Sequence, residues 1–353
     1  WNKAVKNKDK NGFIHKSFGI KIPVMTDSGG FQVLSLAFGD KNKVGKFIPL
    51  EAARARSAPL LLTGFMTGEA KADSSYKRSK IKITQKGVYF DFERKKPPLL
   101  VTAFNGIPPK AVTGPRKRRW SFLGPELSMK LQSKIGADII FAFDQITSPL
   151  DDYEYNRKAV ELTDKWAEIC LKTKDPKQML FGIVQGGLFK DLRIKSAKSI
   201  GSLPFDGFGI GGSYTKKQIS KMLKWVVPYL PEEKPRHLLG VGKVVDVFEA
   251  VQNGVDTFDC VIPTREARHG RLYTKTGHMD IRKGRYVKDK KVIEKGCACL
   301  TCSSKISRSK IRDLIKSEDM NLNAAGQRWC LMHNMWFFNN MLEEIRESIR
   351  KGR

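Results

Sequence analysis

The sequence predicts an α/β protein built on a TIM (β/α)8-type barrel, followed by a smaller C-terminal subdomain. From residue 120 onward, near-continuously apolar segments alternate with amphipathic ones, as in a parallel sheet covered by helices on both faces. Polar or glycine-rich residues follow the carboxyl end of every predicted strand, where TIM barrels keep their active sites. A doubly wound sheet would instead collect its site at one switch point, so the barrel is favoured.

Six βα-type strands are recognisable in the sequence. They lie in "IPVMTDSGG", "ADIIFAFD", "MLFGIVQGG", "FDGFGIGG", "RHLLGVG" and "VDTFDCVIPT". The pair Gly124-Pro125 predicts the start of a helix that ends at Gly136. Further helices are predicted at about 153–172, 190–199, 216–229 and 244–253. Because a TIM barrel needs eight strands, two strands are missing from this count.

Two segments interrupt the alternation of strands and helices. Residues 39–80 and 95–120 are rich in Pro, Gly and basic side chains, which favours loops or small excursions over barrel elements. The stretch "ITQKGVYFDF" between them alternates with period two and predicts a short hairpin. We therefore predict a barrel domain over residues 1–270, with these two segments as insertions, and a C-terminal subdomain over residues 271–353.

The charge of the chain favours a polyanionic partner. Lys and Arg number 65 against 36 Asp and Glu, which gives a formal net charge of +29. Such an excess suits a nucleic acid, although a charge that serves only solubility is the alternative. No window approaches 18 consecutive apolar residues, and no secretory leader is recognisable. We expect a cytoplasmic protein without a membrane partner.

Polar groups at the strand ends predict a binding site for a flat, polar heterocycle. Four strands end in the following residues: Asp27 and Ser28, Asp144, Gln185, and Gly211 with Gly212. A carboxylate accepts hydrogen bonds from a ring N–H and an exocyclic amine, while Gln and a glycine N–H bind a carbonyl oxygen. Phe31 and Leu239 would cover the two faces of the ring. The alternative is a tight turn in which Asp27 or Ser28 caps the next helix.

The segment "GVDTFDCVIPTREARHG" carries a second candidate carboxylate, Asp259, at the end of a strand. Two carboxylates, one covalent and one acid/base, are the arrangement of retaining glycosyl transfer, so Asp259 can be a nucleophile at a sugar anomeric carbon. Asp256 lies inside the strand and is expected to be structural. Arg265 and Arg268 would contact phosphates or bases beside the reaction centre, with a salt-bridged loop as the alternative.

The stretch "CACLTC" predicts a structural zinc site in the C-terminal subdomain. Its three thiolates, Cys297, Cys299 and Cys302, would complete a closed tetrahedral site with His333 of the later "WCLMHN". Cys330 lies one helical turn before His333 on the same face and is the alternative fourth ligand. A third candidate, His278, has weaker support because an isolated loop histidine is usually solvated.

These segments together resemble the tRNA-guanine transglycosylase family, the queuine tRNA-ribosyltransferases, in its bacterial type. The similarity covers residues 13–37 and 120–350, with "TDSGGFQ", "GADIIFAFD", "FGIVQGG", "GVGK", "FDCVIPTR" and the Cys-x-Cys-x₂-Cys…His series in the family order. The family fold is a TIM barrel with a zinc-binding subdomain. The family begins about two βα units before "TDSGGF", so we expect the native gene product to be longer than this chain.

The resemblance implies base exchange in tRNA without cleavage of the backbone, in queuosine biosynthesis. Asp259 matches the nucleophile that attacks C1′ of guanosine at the wobble position of G-U-N anticodons, and Asp27 matches the general acid/base. The positions that match base contacts are Ser28, Phe31, Asp144, Gln185, Gly211, Gly212 and Leu239. Those that match RNA contacts are Gly240, Lys243, Arg265 and Arg268. The incoming base of bacterial members is 7-aminomethyl-7-deazaguanine, and the resemblance implies a homodimer.

Two alternatives to a tRNA enzyme stay open. A relative that inserts 7-deazaguanines into DNA would use the same chemistry, although the "PTR" loop and the zinc motif follow the tRNA-type order. An inactive fragment or RNA-binding subunit is disfavoured because both Asp27 and Asp259 are present.

After Gly212 the chain continues "SYTKK", with Lys216 and Lys217, where the family usually has "LAVGE". The accepted 7-deazaguanine side arm is therefore not fixed by the sequence.

Overall fold

A computed structural model of the 353-residue chain describes residues 14–15, 20–29, 79–92, 121–147, 151–212 and 218–352. Phe31, Lys216 and Lys217 lie outside these ranges, as do the predicted insertions 39–80 and 95–120 except for residues 79 and 80. The chain divides into two compact units. Unit 1 comprises Trp1–Leu239 and Phe248–Thr257, and unit 2 comprises Gly240–Val247 and Phe258–Arg353.

The described elements alternate along most of the chain. The strands are β1 (Met25–Thr26), β2 (Ser79–Thr84), β3 (Gly87–Phe92), β4 (Ser121–Leu123), β5 (Ile139–Phe141), β6 (Met179–Val184), β7 (Gly207–Ile210), β8 (Arg236–Leu238), β9 (Thr257–Phe258), β10 (Arg271–Thr274) and β11 (Gly277–Asp280). The helices are α1 (Pro125–Ile135), α2 (Tyr153–Thr173), α3 (Lys190–Gly201), α4 (Ile219–Val226), α5 (Val244–Gln252), α6 (Ile262–Arg268), α7 (Leu300–Ser303), α8 (Arg308–Lys316) and α9 (Met320–Arg350).

A six-stranded sheet in the order β1-β5-β6-β7-β8-β9 confirms the six predicted strands. The pairs from β1 to β8 are parallel, and from β5 onward each strand lies beside the next one in the chain. A helix lies between each pair of successive strands from β5 to β9, so these connections are simple βα units. The carboxyl ends of the parallel strands therefore meet at one edge of the sheet.

Helix ends follow the predicted capping signals, with one difference. Gly136 terminates α1 with φ of 76°, a left-handed conformation that glycine adopts without steric cost. The predicted helix 216–229 is shorter in the structure, where α4 ends at Val226 and a 3₁₀ turn covers Val227–Tyr229. Pro228 explains this difference because proline has no backbone N–H to continue the helical ladder.

Large apolar side chains of β5 and β6 pack against glycines of β7. The side chains of Phe141, Phe181 and Ile183 are at most 2% exposed and form one cluster. A Cβ at Gly207 would lie 2.5 Å from the Phe181 ring, and one at Gly209 would lie 2.6 Å from Ile183 Cδ1. Because these glycines have no side chain, the larger side chains of β5 and β6 pack directly against the backbone of β7.

The predicted hairpin is confirmed as β2 and β3, which pair antiparallel from Ser79 opposite Phe92 to Thr84 opposite Gly87. The sequence did not predict β4, which adds to β3 as a third strand. The buried Trp166 of α2 donates its indole N–H to the carbonyl of Gln85 at 2.7 Å. This hydrogen bond fixes the hairpin turn to a helix that follows β5.

Unit 2 is built around the 31-residue helix α9. The buried side chain of Asn334 donates hydrogen bonds to the carbonyls of Pro263 and Arg271 and accepts one from the Tyr273 N–H. These contacts tie α6 and β10 to α9. Within the described residues, no helix is both long and apolar enough to cross a bilayer.

Candidate active site and metal centre

The first strand end of unit 1 places Asp27 and Ser28 directly after β1. The Ser28 N–H donates to Asp27 Oδ1 at 2.8 Å, and the Ser28 carbonyl accepts a hydrogen bond from the buried Ser128 hydroxyl at 2.8 Å. Gln132, one turn later on α1, donates to the Phe141 carbonyl and accepts from the Phe141 N–H. The buried face of α1 therefore holds the ends of β1 and β5 together.

The ends of β5 and β6 bring Asp144 and Gln185 into direct contact. Gln185 Nε2 donates to Asp144 Oδ2 at 2.5 Å, and both side chains are buried. Burial raises the pKa of the Asp144 carboxyl to about 7, and the charge of Asp27 adds to this effect. Hydrogen bonds from Gln185 and Ser28 oppose it. Asp144 thus differs from a surface carboxyl because it can gain or lose a proton near neutral pH.

The pair Gly211-Gly212 follows β7 and lies against Gln185. A Cβ at Gly212 would lie 2.7 Å from Gln185 Oε1, and its φ of 91° is a conformation that favours glycine. Gln185 Oε1 is buried and makes no hydrogen bond among the described residues. A bound molecule that donates an N–H would satisfy this oxygen.

Leu239 follows β8 and packs, half-buried, against the cluster of Phe141, Phe181 and Ile183. Its side chain therefore supplies an apolar surface at the same strand-end edge as Gln185. The other predicted ring-covering residue, Phe31, lies outside the described residues, so the structure provides one of the two predicted faces.

The sequence did not single out Arg193, which the structure places at this edge. Arg193 lies on α3 and is fully buried, and its guanidinium donates to the carbonyls of Val184, Gly187 and Gly211. The sequence predicted a helix at about residues 190–199 but indicated no role for its side chains. The spacing of Arg193 could have indicated that it is buried, because Arg193 shares one helical face with the buried Ala197 and Ile200.

Unit 2 contains the second candidate carboxylate, Asp259. Its Oδ1 accepts a hydrogen bond of 2.8 Å from the Gly240 N–H, and the residue is exposed. A Cβ at Gly242 would collide with the Cys260 thiol, so the "GVGK" loop packs directly against the chain that carries Asp259. In unit 1, Asp256 directly precedes β9 rather than lying inside the strand as predicted, and its carboxylate accepts a hydrogen bond from the Arg236 N–H.

The predicted RNA-contacting side chains of unit 2 are exposed. Arg265 and Arg268 lie on α6, and Lys243 precedes α5. Arg265 approaches Glu266 at 3.8 Å, whereas Glu266 lies closer to Arg271, at 3.2 Å. Both arginine side chains are exposed to solvent, and the long ion pair of Arg265 contributes little.

Four side chains form a compact cluster that could hold a metal ion. The ligand atoms of Cys297, Cys299, Cys302 and His333 lie within 4.8 Å of one another. His333 Nδ1 lies 3.8, 3.3 and 3.7 Å from the three sulfurs in that order. A tetrahedral zinc site has Zn–S of about 2.3 Å and Zn–N of about 2.0 Å, which gives N···S separations of roughly 3.5 Å, so the residues fit.

The surroundings of His333 also suit a metal ligand. His333 Nε2 lies 2.7 Å from the Tyr273 carbonyl, to which it can only donate, so Nδ1 carries the lone pair that faces the sulfurs. The alternative ligands do not join the cluster. Cys330 is buried in the apolar core of unit 2, and His278 is exposed beside the Tyr273 ring.

Similar proteins are found among the queuine tRNA-ribosyltransferases. The family model described as queuine tRNA-ribosyltransferase matches residues 113–353. An Archaeoglobus fulgidus protein provisionally named queuine tRNA-ribosyltransferase is 38% identical, covering 97% of this chain and 78% of its own. Queuine tRNA-ribosyltransferases of Lachnospira eligens and Clostridium acetobutylicum are 41% and 35% identical, over 66% and 96% of this chain and 64% and 76% of their own.

Parallel βα units with polar strand ends, joined to a Cys₃His cluster, define a TIM-barrel protein with a metal-binding subdomain. The family match is more specific. The chain belongs to the queuine tRNA-ribosyltransferase family, whose members are pentosyltransferases with the TIM-barrel fold. The predicted family and fold class are therefore confirmed.

Proposed function

We propose that this chain is a tRNA-guanine transglycosylase that exchanges guanine at the wobble position of G-U-N anticodons for a 7-deazaguanine, 7-aminomethyl-7-deazaguanine in the bacterial type. The observation that carries the proposal is the buried Asp144 carboxyl, bound to Gln185 at the strand ends of a chain from this family. Together with the Gly212 backbone, these groups present acceptors and donors that complement the ring N–H, amine and carbonyl of guanine.

In the first half of the proposed reaction, Asp259 is the nucleophile. One Asp259 carboxylate oxygen forms a bond to C1′ of the nucleotide, and the C1′–N9 bond breaks with its electron pair going to guanine. Asp27, acting as an acid, gives a proton to the departing guanine. The Gly240 N–H supports this role because its hydrogen bond orients the Asp259 carboxylate.

The second half reverses these roles with a different base. The incoming 7-deazaguanine loses its N9 proton to Asp27 and attacks C1′, while the bond between C1′ and Asp259 breaks with its electrons returning to the carboxylate. Asp144, Gln185 and Gly212 bind the base in both halves. The tRNA backbone stays intact throughout because both displacements occur at the sugar carbon.

The remaining predicted residues hold the RNA and the subdomain. We assign phosphate and base contacts to Lys243, Arg265 and Arg268, whose exposed cationic side chains suit the anticodon loop. We assign Zn²⁺ to the Cys₃His cluster, where it would be structural because four protein ligands leave no open position. The resemblance implies a homodimer, and we expect the protein to act in the cytoplasm.

A base-exchange assay tests this proposal. A G-U-N tRNA transcript and radiolabelled guanine are incubated with the wild type, with Asp259→Asn, and with Asp313→Asn as the control, since Asp313 is an exposed carboxylate of the same unit. We expect incorporation by the wild type and the control, and a loss of at least about 1000-fold with Asp259→Asn.

Two results would contradict the proposal. Equal incorporation by Asp259→Asn would remove Asp259 as the nucleophile. Absence of incorporation by the wild type would remove the exchange activity itself. A parallel reaction with DNA carrying the same stem-loop sequence separates the tRNA enzyme from a DNA transglycosylase, because the latter would label the DNA.

A further inference from the structure

The guanidinium of Arg193 connects three main-chain carbonyls at the strand-end edge of unit 1. Nε donates to the Gly187 carbonyl at 2.9 Å, and Nη1 donates to those of Val184 at 3.2 Å and Gly211 at 2.7 Å. Val184 is the last residue of β6, and Gly211 directly follows β7. A single buried cation on α3 therefore fixes the loops after two adjacent strands.

Such a residue is costly to bury, which argues that it has a specific task. Arg193 has no exposed surface, and removing a guanidinium from water costs several kcal/mol unless its donors are satisfied. A methionine or leucine at this position would fill similar space without that cost. Hydrogen bonds from a cation to a carbonyl are stronger than neutral ones, so these contacts hold the loops in one conformation.

The contact with Gly211 determines the direction of the next peptide N–H. In a trans peptide the C=O and the following N–H point in opposite directions, so the Gly211 carbonyl and the Gly212 N–H are antiparallel. Because Arg193 binds the Gly211 carbonyl from the α3 side, the Gly212 N–H points away from α3. The same hydrogen bond polarises the peptide, which makes the N–H a stronger donor.

The packing around Gly212 leaves little freedom for any other arrangement. A Cβ at Gly212 would lie 2.9 Å from Arg193 Nη2 and 2.7 Å from Gln185 Oε1. The side of Gly212 on which a side chain would stand therefore faces both the guanidinium and the amide of Gln185, which itself binds Asp144. Arg193 and the recognition residues form one continuous set of contacts.

We propose that Arg193 is a positioning residue for recognition of the base carbonyl. Acting through the Gly211-Gly212 peptide, it aims and strengthens the Gly212 N–H that binds the carbonyl oxygen of guanine. This role rests on the proposed function. The ligands whose binding depends on this role are purine-type bases with an oxo group. The affinity for bases that lack this oxygen does not depend on Arg193.

The test compares guanine with 2-aminopurine, which lacks both the carbonyl oxygen and the N1–H of guanine. Because the missing N1–H is common to all variants, a change of the preference between variants reports on the carbonyl contact. Inhibition of labelled guanine incorporation is measured with unlabelled guanine and with 2-aminopurine, for the wild type, Arg193→Met and Arg193→Lys. We expect the preference for guanine over 2-aminopurine to fall about tenfold in Arg193→Met, the value of one hydrogen bond. Arg193→Lys, which keeps a cation that can reach one carbonyl, should restore part of the preference. The KM for tRNA should stay within about twofold.

The ratio of the two inhibition constants is independent of the fraction of folded enzyme, so partial unfolding does not imitate the expected result. If Arg193→Met does not fold, the smaller loss expected for Arg193→Lys is the test. Lys195→Met removes an exposed cation from the same helix and should leave the ratio unchanged.

An unchanged ratio in both Arg193 variants, with both bases weakened equally, would overturn the positioning role. That result would leave the proposed function intact, since it requires a wild type that exchanges guanine. Failure of the wild type to incorporate guanine would instead contradict the proposed function, so the two failures are distinguishable.

Discussion

At the scale of single residues, Asp144 has the most unusual environment of the candidate site. A strand-end aspartate is normally solvated, but this one is buried, contacts Gln185 and lies near the charge of Asp27. Burial and that charge raise its pKa to about 7. The sequence predicted an acceptor at this position, but it could not predict the raised pKa because that depends on burial by neighbouring strands.

Replacing Asp144 with Asn should stabilise the protein while removing base exchange. Because the pKa of Asp144 is higher in the folded state than its ordinary value of 3.8, the folded state binds more protons between about pH 4 and pH 7. Wild-type stability therefore falls as the pH rises through this window, whereas the neutral amide of the variant does not titrate. Relative to the wild type, Asp144→Asn should gain more stability at pH 8 than at pH 5, by on the order of 2 kcal/mol.

Urea unfolding at both pH values measures this gain, and guanine incorporation measures the loss of activity, expected to be at least about 100-fold. Asp313→Asn is the control, since its exposed carboxylate should change neither quantity. An equal effect of Asp144→Asn on stability at pH 5 and pH 8 would show that the carboxyl ionises as a surface group does.

At the scale of elements, the metal cluster joins a short turn to a long helix. Cys299 caps the N-terminus of α7, Cys302 lies within α7, and His333 lies on α9. The sequence left Cys330 and His333 as alternative ligands because both lie on α9, one turn apart. The structure distinguishes them, since α9 turns Cys330 into the apolar core and His333 toward the three sulfurs.

Metal content should therefore depend on His333 and Cys302 but not on Cys330. We expect one zinc per chain in the wild type and in Cys330→Ala, and less than about one tenth of that in Cys302→Ala and in His333→Ala. Elemental analysis of purified protein measures the stoichiometry. Since structural zinc supplies folding free energy, the two depleted variants should also lose protection from proteolysis in unit 2. Loss of zinc in Cys330→Ala with retention in His333→Ala would reverse the assignment.

At the scale of the whole molecule, the net charge of +29 predicts a strong salt dependence of tRNA binding. Neutralising phosphates releases counterions, so affinity falls as a power of the salt concentration. Between about 50 and 200 mM KCl we expect the affinity for tRNA to fall at least about 100-fold. The affinity for free guanine should change by less than about threefold, because that base carries no charge. Filter binding measures the affinity for tRNA, and inhibition of base exchange measures the affinity for guanine.

The variant Arg265→Gln/Arg268→Gln tests where part of this charge acts. Loss of two phosphate contacts should lower the slope of log affinity against log salt by about 2 and leave guanine binding unchanged. An unaltered slope would place the phosphate contacts on other basic residues. Lys316→Gln/Lys310→Gln, two exposed lysines of α8 in the same unit, is the matched control for the change in total charge.

The sequence by itself determined the six strands of the main sheet, the family, and the residue types at the strand ends and in the metal cluster. Periodicity, capping glycines and cysteine spacing are local patterns, so they can be recognised without knowing which elements are in contact. The tertiary structure alone decided that Asp144 is buried against Gln185, that His333 rather than Cys330 faces the sulfurs, and that Arg193 binds carbonyls of two strand ends. These properties arise from contacts between residues far apart in the chain, because burial and charge at a site are set by every element packed around it.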